Sequence, residues 1–398
     1  MSILKQIKEE LPWLGDNDSF DLTRGKPSPD QLKLSQKLIE NIKQPFEIDG
    51  VDLRNYGNPD GIQSAKILGS EILDTPIEKI IALDNSSLTL MHQLLACAYF
   101  LGFEAVNLSR TSKFLCLVPG YDRHFKLLEN FGIEMISVPF LDDGPDIQVI
   151  TDLIAADESI NGIVCVPRHS NPTGHTFSDD HVEQLFTAIT PNKNNFMIIW
   201  DNAYACHDLR ETIKQTSALS IAEKIGIEKN LFILGSTSKI TLAGAGISFL
   251  STESANLDTF ISYRNSLTPG PNKMNQGLHA KMFQEHSLSD HMNALREIIL
   301  PKFNLVDNYM LDLKNRGLCN YTSPTGGYFY SFESSTNKAN EIINLCGEAG
   351  LKLLPLGSCF PYNIDPNNSN IRIAPTFPSY KDLEKCMEIF SKVVINLN

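Results

Sequence analysis

The sequence predicts an α/β fold built around a mostly parallel sheet, and two observations indicate it. From about residue 80 to 250, short runs rich in β-branched and aromatic residues alternate with amphipathic helical stretches, which is the pattern of βαβ units. Several of these runs are almost continuously apolar, as expected for strands that helices cover on both faces. The predicted strands are 114–118, 134–138, 162–166, 196–200, 231–234 and 246–250.

The length of 398 residues exceeds what one hydrophobic core usually serves, so we expect two lobes around a shared cleft. After residue 260 the pattern turns helical, through 274–315, and then returns to strand-like pieces at 328–332 and 371–373. We therefore expect a large domain and a smaller α+β domain, with the boundaries 51–295 for the first and 1–50 plus 296–398 for the second.

The charge and the histidine spacing argue against two kinds of ligand, nucleic acids and metal ions. The net charge of −13 comes from 47 acidic against 34 basic residues, which argues against a nucleic-acid partner, because phosphate backbones require a basic face. A small anion can still bind in a locally positive cleft. No pair of histidines has the spacing of zinc ligands, so we expect no metal site.

The chain is expected to be cytoplasmic. The eight cysteines lie far apart and form no C-x-x-C motif, which is typical of reduced thiols. The N-terminus lacks the apolar segment of a signal peptide. The longest apolar stretch, 88–103, contains His92 and Gln93 and is too short to span a bilayer, so we expect no membrane association.

Polar residues follow three of the predicted strands, at the edge where open α/β sheets bind ligands. An N-P-T-G turn begins at Asn171, Asp201 ends the next strand with Tyr204 three residues later, and a third strand leads through S-T-S to Lys239. Each signal alone has a plainer explanation: an ordinary turn, a helix-capping Asp and a solvated surface Lys. Their shared order and shared sheet edge favour one functional site.

The chemistry of these groups points to a cationic ring and a phosphate. A desolvated carboxylate at Asp201 needs a cationic partner, which a protonated pyridine nitrogen would supply. A confined lysine loses basicity and becomes nucleophilic. The hydroxyls of Ser236 and Ser238 can donate hydrogen bonds to a phosphate. The segment Asn85-Ser86-Ser87 precedes a helical run and is either a second phosphate cradle or a plain serine cap.

The motifs N-P-T-G at 171–174, D-x-x-Y at 201–204 and S-x-S-K at 236–239 resemble, in this order, those of fold type I enzymes that use pyridoxal 5′-phosphate (PLP), in particular class I and II aminotransferases. The resemblance covers essentially the whole chain. Within that family the sequence looks most like the Ic subgroup of aspartate aminotransferases, through segments 23–35, 84–94, 119–125, 236–246 and 268–276. It implies PLP as cofactor, an amino acid and a 2-oxo acid as substrates, and a homodimer with shared active sites.

The resemblance also implies roles for single residues. Lys239 would carry PLP as a Schiff base and move the proton during the reaction, and Asp201 would pair with the pyridine nitrogen. Asn171 and Tyr204 would hydrogen-bond the O3′ of the cofactor. Tyr121 matches the aromatic residue that stacks on the ring; otherwise it is a core tyrosine.

The phosphate and the substrate have their own matching residues. Tyr56 resembles the tyrosine that reaches the phosphate of the neighbouring subunit, and segment 268–275 resembles a second contribution across the interface. Arg372 matches the arginine that binds the substrate α-carboxylate, a task suited to its planar fork. One departure is Ile247, where many family members carry a phosphate-binding arginine; Lys273, Ser236 and Ser238 are the candidates to replace it.

The subgroup resemblance implies a dicarboxylic donor such as aspartate, with 2-oxoglutarate as acceptor, and hence a second cation for the distal carboxylate. Arg264, which lies four residues before Thr268 and the segment 268–275, is the candidate that we favour, in competition with Arg24, Arg123 and Arg168. Two alternatives stay open. The chain could be another fold type I PLP enzyme, such as a C–S or β-lyase or a decarboxylase, or a non-catalytic PLP-binding regulator.

Overall fold

The computed structural model describes residues 2–40, 47–141 and 144–398. Its α-helices are α1 Ile3–Glu10, α2 Pro29–Leu34, α3 Gln36–Glu40, α4 Gln63–Leu73, α5 Ser87–Phe100, α6 Asp122–Asn130, α7 Ile147–Ala156, α8 Asp179–Ile189, α9 Ala218–Ile225, α10 Ser254–Asn265, α11 Lys273–Glu285, α12 Leu288–Asn315, α13 Ala339–Glu348 and α14 Tyr380–Leu397. Its strands are β1 Phe20–Asp21, β2 Glu47–Ile48, β3 Val51–Asp52, β4 Ile80–Ala82, β5 Lys113–Val118, β6 Glu134–Leu141, β7 Gly144–Pro145, β8 Ile160–Cys165, β9 Met197–Asp201, β10 Leu231–Ser236, β11 Ser248–Ser251, β12 Cys319–Tyr321, β13 Tyr330–Ser334, β14 Leu351–Lys352 and β15 Asn370–Ile373.

The central sheet has eight strands in the order β4-β11-β10-β9-β8-β5-β6-β7. Its middle, from β6 to β10, is parallel, as the alternating pattern predicts. The strand β11 pairs antiparallel with β10, which the sequence pattern did not reveal. The connection between these strands holds only a short turn and no crossover helix, and parallel neighbours require such a crossover. The edge strand β4 was missed because three residues are too few to show a periodicity.

Helices cover both faces of this sheet, and each face has its own apolar cluster. One cluster joins Ile198, Ile233 and Phe186 on one face, and another joins Phe114, Ile199 and other residues on the opposite face. Alternate residues of one strand therefore serve opposite clusters, which explains the continuously apolar strands.

A third apolar cluster belongs to the smaller lobe. It contains residues of α1, α12, α13 and α14 and of the three-stranded sheet β12-β13-β15. The helix α12 runs from the central-sheet cluster, at Leu288, into this third cluster, at Ile299. The predicted domain border at residue 295 falls inside α12, and we retain that division as a proposal.

The sheet register sets the position of the polar residues. Asp201 lies opposite Leu234 of β10, and Trp200 lies opposite Cys165 of β8. The carboxyl ends of three parallel neighbours therefore lie side by side, and the segments that follow them meet at one edge. Across residues 2–40, 47–141 and 144–398, no helix combines the length and apolarity needed to cross a membrane.

Candidate active site

A cleft opens at this edge of the sheet. It brings together most of the site residues predicted from the sequence, and Arg123 also lines its wall. The predicted residues that line it are Ser86, Ser87, Tyr121, Asn171, Asp201, Tyr204, Ser236, Ser238 and Lys239.

Lys239 ends a short 3₁₀ turn, Thr237–Lys239, directly after β10. Its backbone carbonyl accepts a hydrogen bond from the Tyr328 hydroxyl at 3.1 Å and lies 3.3 Å from Nε2 of His207, so the turn is held from two sides. Its Nζ lies 5.2 Å from the centre of the Tyr204 ring. Desolvation by the surrounding protein lowers the pKa of Lys239, although the nearby Asp201 opposes this effect. A larger share of this amine is therefore neutral and nucleophilic near neutral pH.

Asp201 is buried at the end of β9 and has one bonded and one free oxygen. Its Oδ2 lies 2.9 Å from Nε2 of His124. Its Oδ1 is buried and meets no hydrogen-bond partner among the described residues. A buried, unpaired carboxylate oxygen is costly, so this atom marks a place for a donor such as a pyridinium N–H.

Sequence reasoning missed His124, although a signal for it was present. It follows Tyr121, the residue that directly precedes α6, by three positions, and residues three apart at a helix start can lie close together. Their ring centroids are 4.7 Å apart. Burial raises the pKa of Tyr121 to about 12 and that of Tyr204 well above its usual value, so both phenols stay protonated.

Arg372 comes from β15 in the smaller lobe and reaches the large sheet. Its Nη1 donates to Oδ1 of Asp122 at 3.0 Å and to Oδ1 of Asn171 at 3.2 Å, and its Nη2 donates to the Thr23 carbonyl at 3.1 Å. The residue is 5% exposed. Its Nε is buried without a partner within the described part of the chain. The fork of Arg372 thus joins the N-terminal segment, α6 and the N-P-T-G turn.

Two serine-containing turns, at 85–87 and 236–238, meet at the cleft. Ser86 is the N-cap of α5, yet its side chain makes no capping hydrogen bond, so its hydroxyl is available to a ligand. The Ser238 hydroxyl donates to the carbonyl of Asn85 at 3.0 Å. A Cβ at Gly246 would lie 2.8 Å from Oγ of Ser238 and 3.0 Å from that carbonyl, so only glycine allows this approach. The free N–H groups of α5 and these hydroxyls suit a phosphate.

Other predicted residues lie elsewhere. Arg264 is buried in α10, bonded to Gln93 and paired with Asp84 at 3.0 Å, so the cleft does not include it. Its charge is neutralised inside the large domain. Arg168 is likewise paired, with Asp208 at 2.6 Å.

Some of the residues that were expected to help bind the phosphate are also absent from the cleft lining. Lys273 is buried, and its amine donates to the Tyr56 carbonyl at 3.1 Å and to Asn58. Ile247 packs in the core of the large domain. Tyr56 is 83% exposed and lies outside the cleft lining of its own chain. Ser236 and Ser238 are the two named candidates that the structure does bring to the cleft.

The donor set of the cleft fits PLP and not a metal. It offers an amine of lowered pKa, a buried carboxylate with one unpaired oxygen and a helix N-terminus with hydroxyls. Throughout the described residues, no three His, Cys, Asp or Glu side chains are grouped so that they could hold a metal ion.

Comparison with known proteins agrees with this chemistry. Residues 15–397 match the family described as aspartate amino-transferase, so the chain belongs to this family of PLP-dependent, fold type I aminotransferases. An aspartate aminotransferase of Corynebacterium glutamicum is 38% identical over 395 residues, which is 96% of this chain and 91% of that one. The family and the fold class predicted from the sequence are confirmed.

Solved structures show the same fold. The crystal structure of an aspartate transaminase from Corynebacterium glutamicum superimposes with a TM-score of 0.92 at 35% identity, covering 99% of this chain and 95% of that one. The α-aminoadipate aminotransferase of Thermus thermophilus, complexed with N-(5′-phosphopyridoxyl)-L-leucine, has a TM-score of 0.79 at 16% identity, covering 100% and 95%. The latter similarity concerns the fold alone.

Proposed function

We propose that this aminotransferase moves the amino group of a dicarboxylic amino acid, such as aspartate, to a 2-oxo acid such as 2-oxoglutarate. The observation that carries the proposal is one arginine in the lining of the cleft and a second arginine bonded to a residue of that lining. Arg372 contacts Asn171 of the cleft wall, and the exposed Arg123 lines the same cleft. A substrate with two carboxylates can engage both. The name of the 38% identical relative supports the same substrate class.

The residues around the cofactor site divide the work. When bound, PLP draws electrons away from the substrate Cα. Lys239 would hold the cofactor through Nζ and then take up and return the Cα proton, for which its lowered pKa is suited. Asp201 would accept the ring N–H at its unpaired Oδ1, and its negative charge would keep that nitrogen protonated. Asn171 and the protonated Tyr204 would hydrogen-bond the cofactor's O3′.

The remaining predicted residues would position the cofactor and the substrate. Tyr121 would stack on its ring, and the Asn85, Ser86 and Ser87 turn, together with Ser236 and Ser238, would bind its phosphate. Arg372 would bind the substrate α-carboxylate with its fork.

We further propose a homodimer in which Tyr56 reaches the phosphate of the partner site. Its 83% exposure and its position outside the cleft of its own chain support a contact with a second subunit. Sedimentation of the PLP-loaded enzyme should give a dimer. A monomer that is loaded and active would contradict this proposal.

Replacing Arg123 by alanine is expected to lower kcat/KM for aspartate roughly ten- to a hundredfold, because a hydrogen bond to a charged group contributes about 1.5–3 kcal/mol. The value for alanine should change little, since alanine has no distal carboxylate. Arg264→Ala is the comparison, because Arg264 is bonded away from the cleft. Equal losses for aspartate and alanine in Arg123→Ala would remove this arginine from substrate selection.

The donor is found by titrating the holoenzyme with the common amino acids and following its yellow absorbance band. We expect aspartate or another dicarboxylic amino acid to bleach the band fastest, and a 2-oxo acid to restore it. A band that bleaches equally fast with monocarboxylic donors would contradict the dicarboxylic proposal. A band that no amino acid bleaches would favour a non-catalytic PLP-binding protein.

A further inference from the structure

Arg372 pairs with the carboxylate of Asp122, the same kind of group as the substrate carboxylate that it is proposed to bind. Asp122 Oδ1 lies 3.0 Å from Nη1 of Arg372, and the pair is asymmetric in its access to solvent. The Arg372 side chain is 4% exposed and that of Asp122 is 30% exposed. Asp122 is the first residue of α6 and stands between Tyr121 and Arg123, which both line the cleft. One partner is therefore buried, and the other is partly exposed and lies in the chain between two residues that line the cleft.

The remaining contacts of Arg372 are with neutral groups. The Asn171 amide oxygen and the Thr23 carbonyl accept hydrogen bonds but carry no charge. Among the described residues, Asp122 is the acid within ion-pair distance of this guanidinium. A substrate carboxylate that reached the Nη1 side would have to share it with Asp122, and two adjacent carboxylates repel each other.

We propose that Asp122 competes with the substrate α-carboxylate for Arg372 and is displaced when the substrate binds. This inference rests on the proposed function of Arg372. The exchange replaces one carboxylate by another at Nη1, so it needs no proton transfer and leaves no buried charge unpaired. Once released, Asp122 remains at the N-terminus of α6, where unpaired N–H groups and the helix dipole stabilise a negative charge.

A competitor of this kind lowers the apparent affinity for every carboxylate ligand. The measured affinity is the intrinsic affinity multiplied by the fraction of molecules in which Arg372 is free. If Asp122 holds Arg372 in about nine molecules of ten, ligands bind about tenfold more weakly than they would without it.

The test uses Asp122→Asn in the PLP-loaded enzyme, with succinate as an unreactive carboxylate probe and titration calorimetry as the measurement. We expect the Kd of succinate to fall about tenfold and the KM of the amino donor to fall by a similar factor. Glu129→Gln is the matched control, because it removes the same charge from an exposed position of the same helix. It should leave both constants unchanged.

A Kd for succinate that is unchanged or higher in Asp122→Asn would overturn the proposal, because Asp122 would then be a residue that positions Arg372 for binding. Asp122→Ser provides the same comparison if the Asn variant melts early, since serine likewise carries no charge. The proposed function is tested separately by the wild-type enzyme. Bleaching of its band by an amino acid without tighter succinate binding in the variants rejects only the role of Asp122.

Discussion

Replacing Lys239 by alanine is expected to lower the rate of amino-group transfer at least about a thousandfold, because one amine both holds the cofactor and moves the Cα proton. A positioned general acid–base alone contributes about 10²- to 10⁴-fold. The alanine side chain offers neither function, and the protonated phenol of Tyr204 is a poor base. The rate is measured in a single turnover with PLP supplied in excess.

Lys302→Met is the control for this experiment. Lys302 is also buried, and burial lowers its pKa to about 8, but its amine donates to the Thr376 carbonyl in the smaller lobe. The control should keep the transfer rate per folded, PLP-loaded molecule. A Lys239→Ala variant that retained the wild-type rate would remove Lys239 from the chemistry.

The second large effect is expected for Asp201→Asn, which should lower the transfer rate about 10²- to 5 × 10³-fold. Removing one partner of a buried charge pair costs about 3–5 kcal/mol, and each 1.36 kcal/mol corresponds to a factor of ten in rate. Asparagine has nearly the same shape, so it fills the site, but it does not stabilise a protonated ring nitrogen. The measurement is the rate at which the amino acid bleaches the absorbance band.

Glu333→Gln is the matched control for Asp201→Asn. Glu333 is another largely buried carboxyl group, bonded to Ser331, Ser369 and Asn370 on the small sheet and outside the cleft lining. This variant should transfer amino groups at nearly the wild-type rate. If Asp201→Asn also stays within tenfold of the wild type, Asp201 does not control the ring nitrogen.

The sequence was sufficient to place the main catalytic candidates in one cleft. Asn171, Asp201 and Lys239 each follow a strand, and the carboxyl ends of parallel neighbours share one edge. This prediction needed only local patterns and one general rule of sheet topology. The resemblance of the motifs supplied the family, which the comparisons confirm.

The pairings between side chains could not be predicted in the same way. His124 meets Asp201 across 77 positions, and Arg372 meets Asp122 across 250, so both contacts depend on how helices and lobes pack. For Arg264, by contrast, the sequence suggested a place at the cleft and the packing of the helices puts the residue elsewhere. Its nearness in sequence to segment 268–275 suggested a substrate role, whereas the packing of α10 brings it to Asp84, 180 positions away.

The role of Lys239 in amino-group transfer is tested most directly by a single half-reaction followed by chemical trapping. Borohydride added to the resting holoenzyme should fix the cofactor to the peptide that contains Lys239. Without an acceptor, the amino donor should release one 2-oxo acid per bound cofactor and stop, and 2-oxoglutarate should then restore the absorbance band. Fixation at another lysine, or continuous release of a 2-oxo acid with ammonia or of carbon dioxide, would contradict an aminotransferase that works through Lys239.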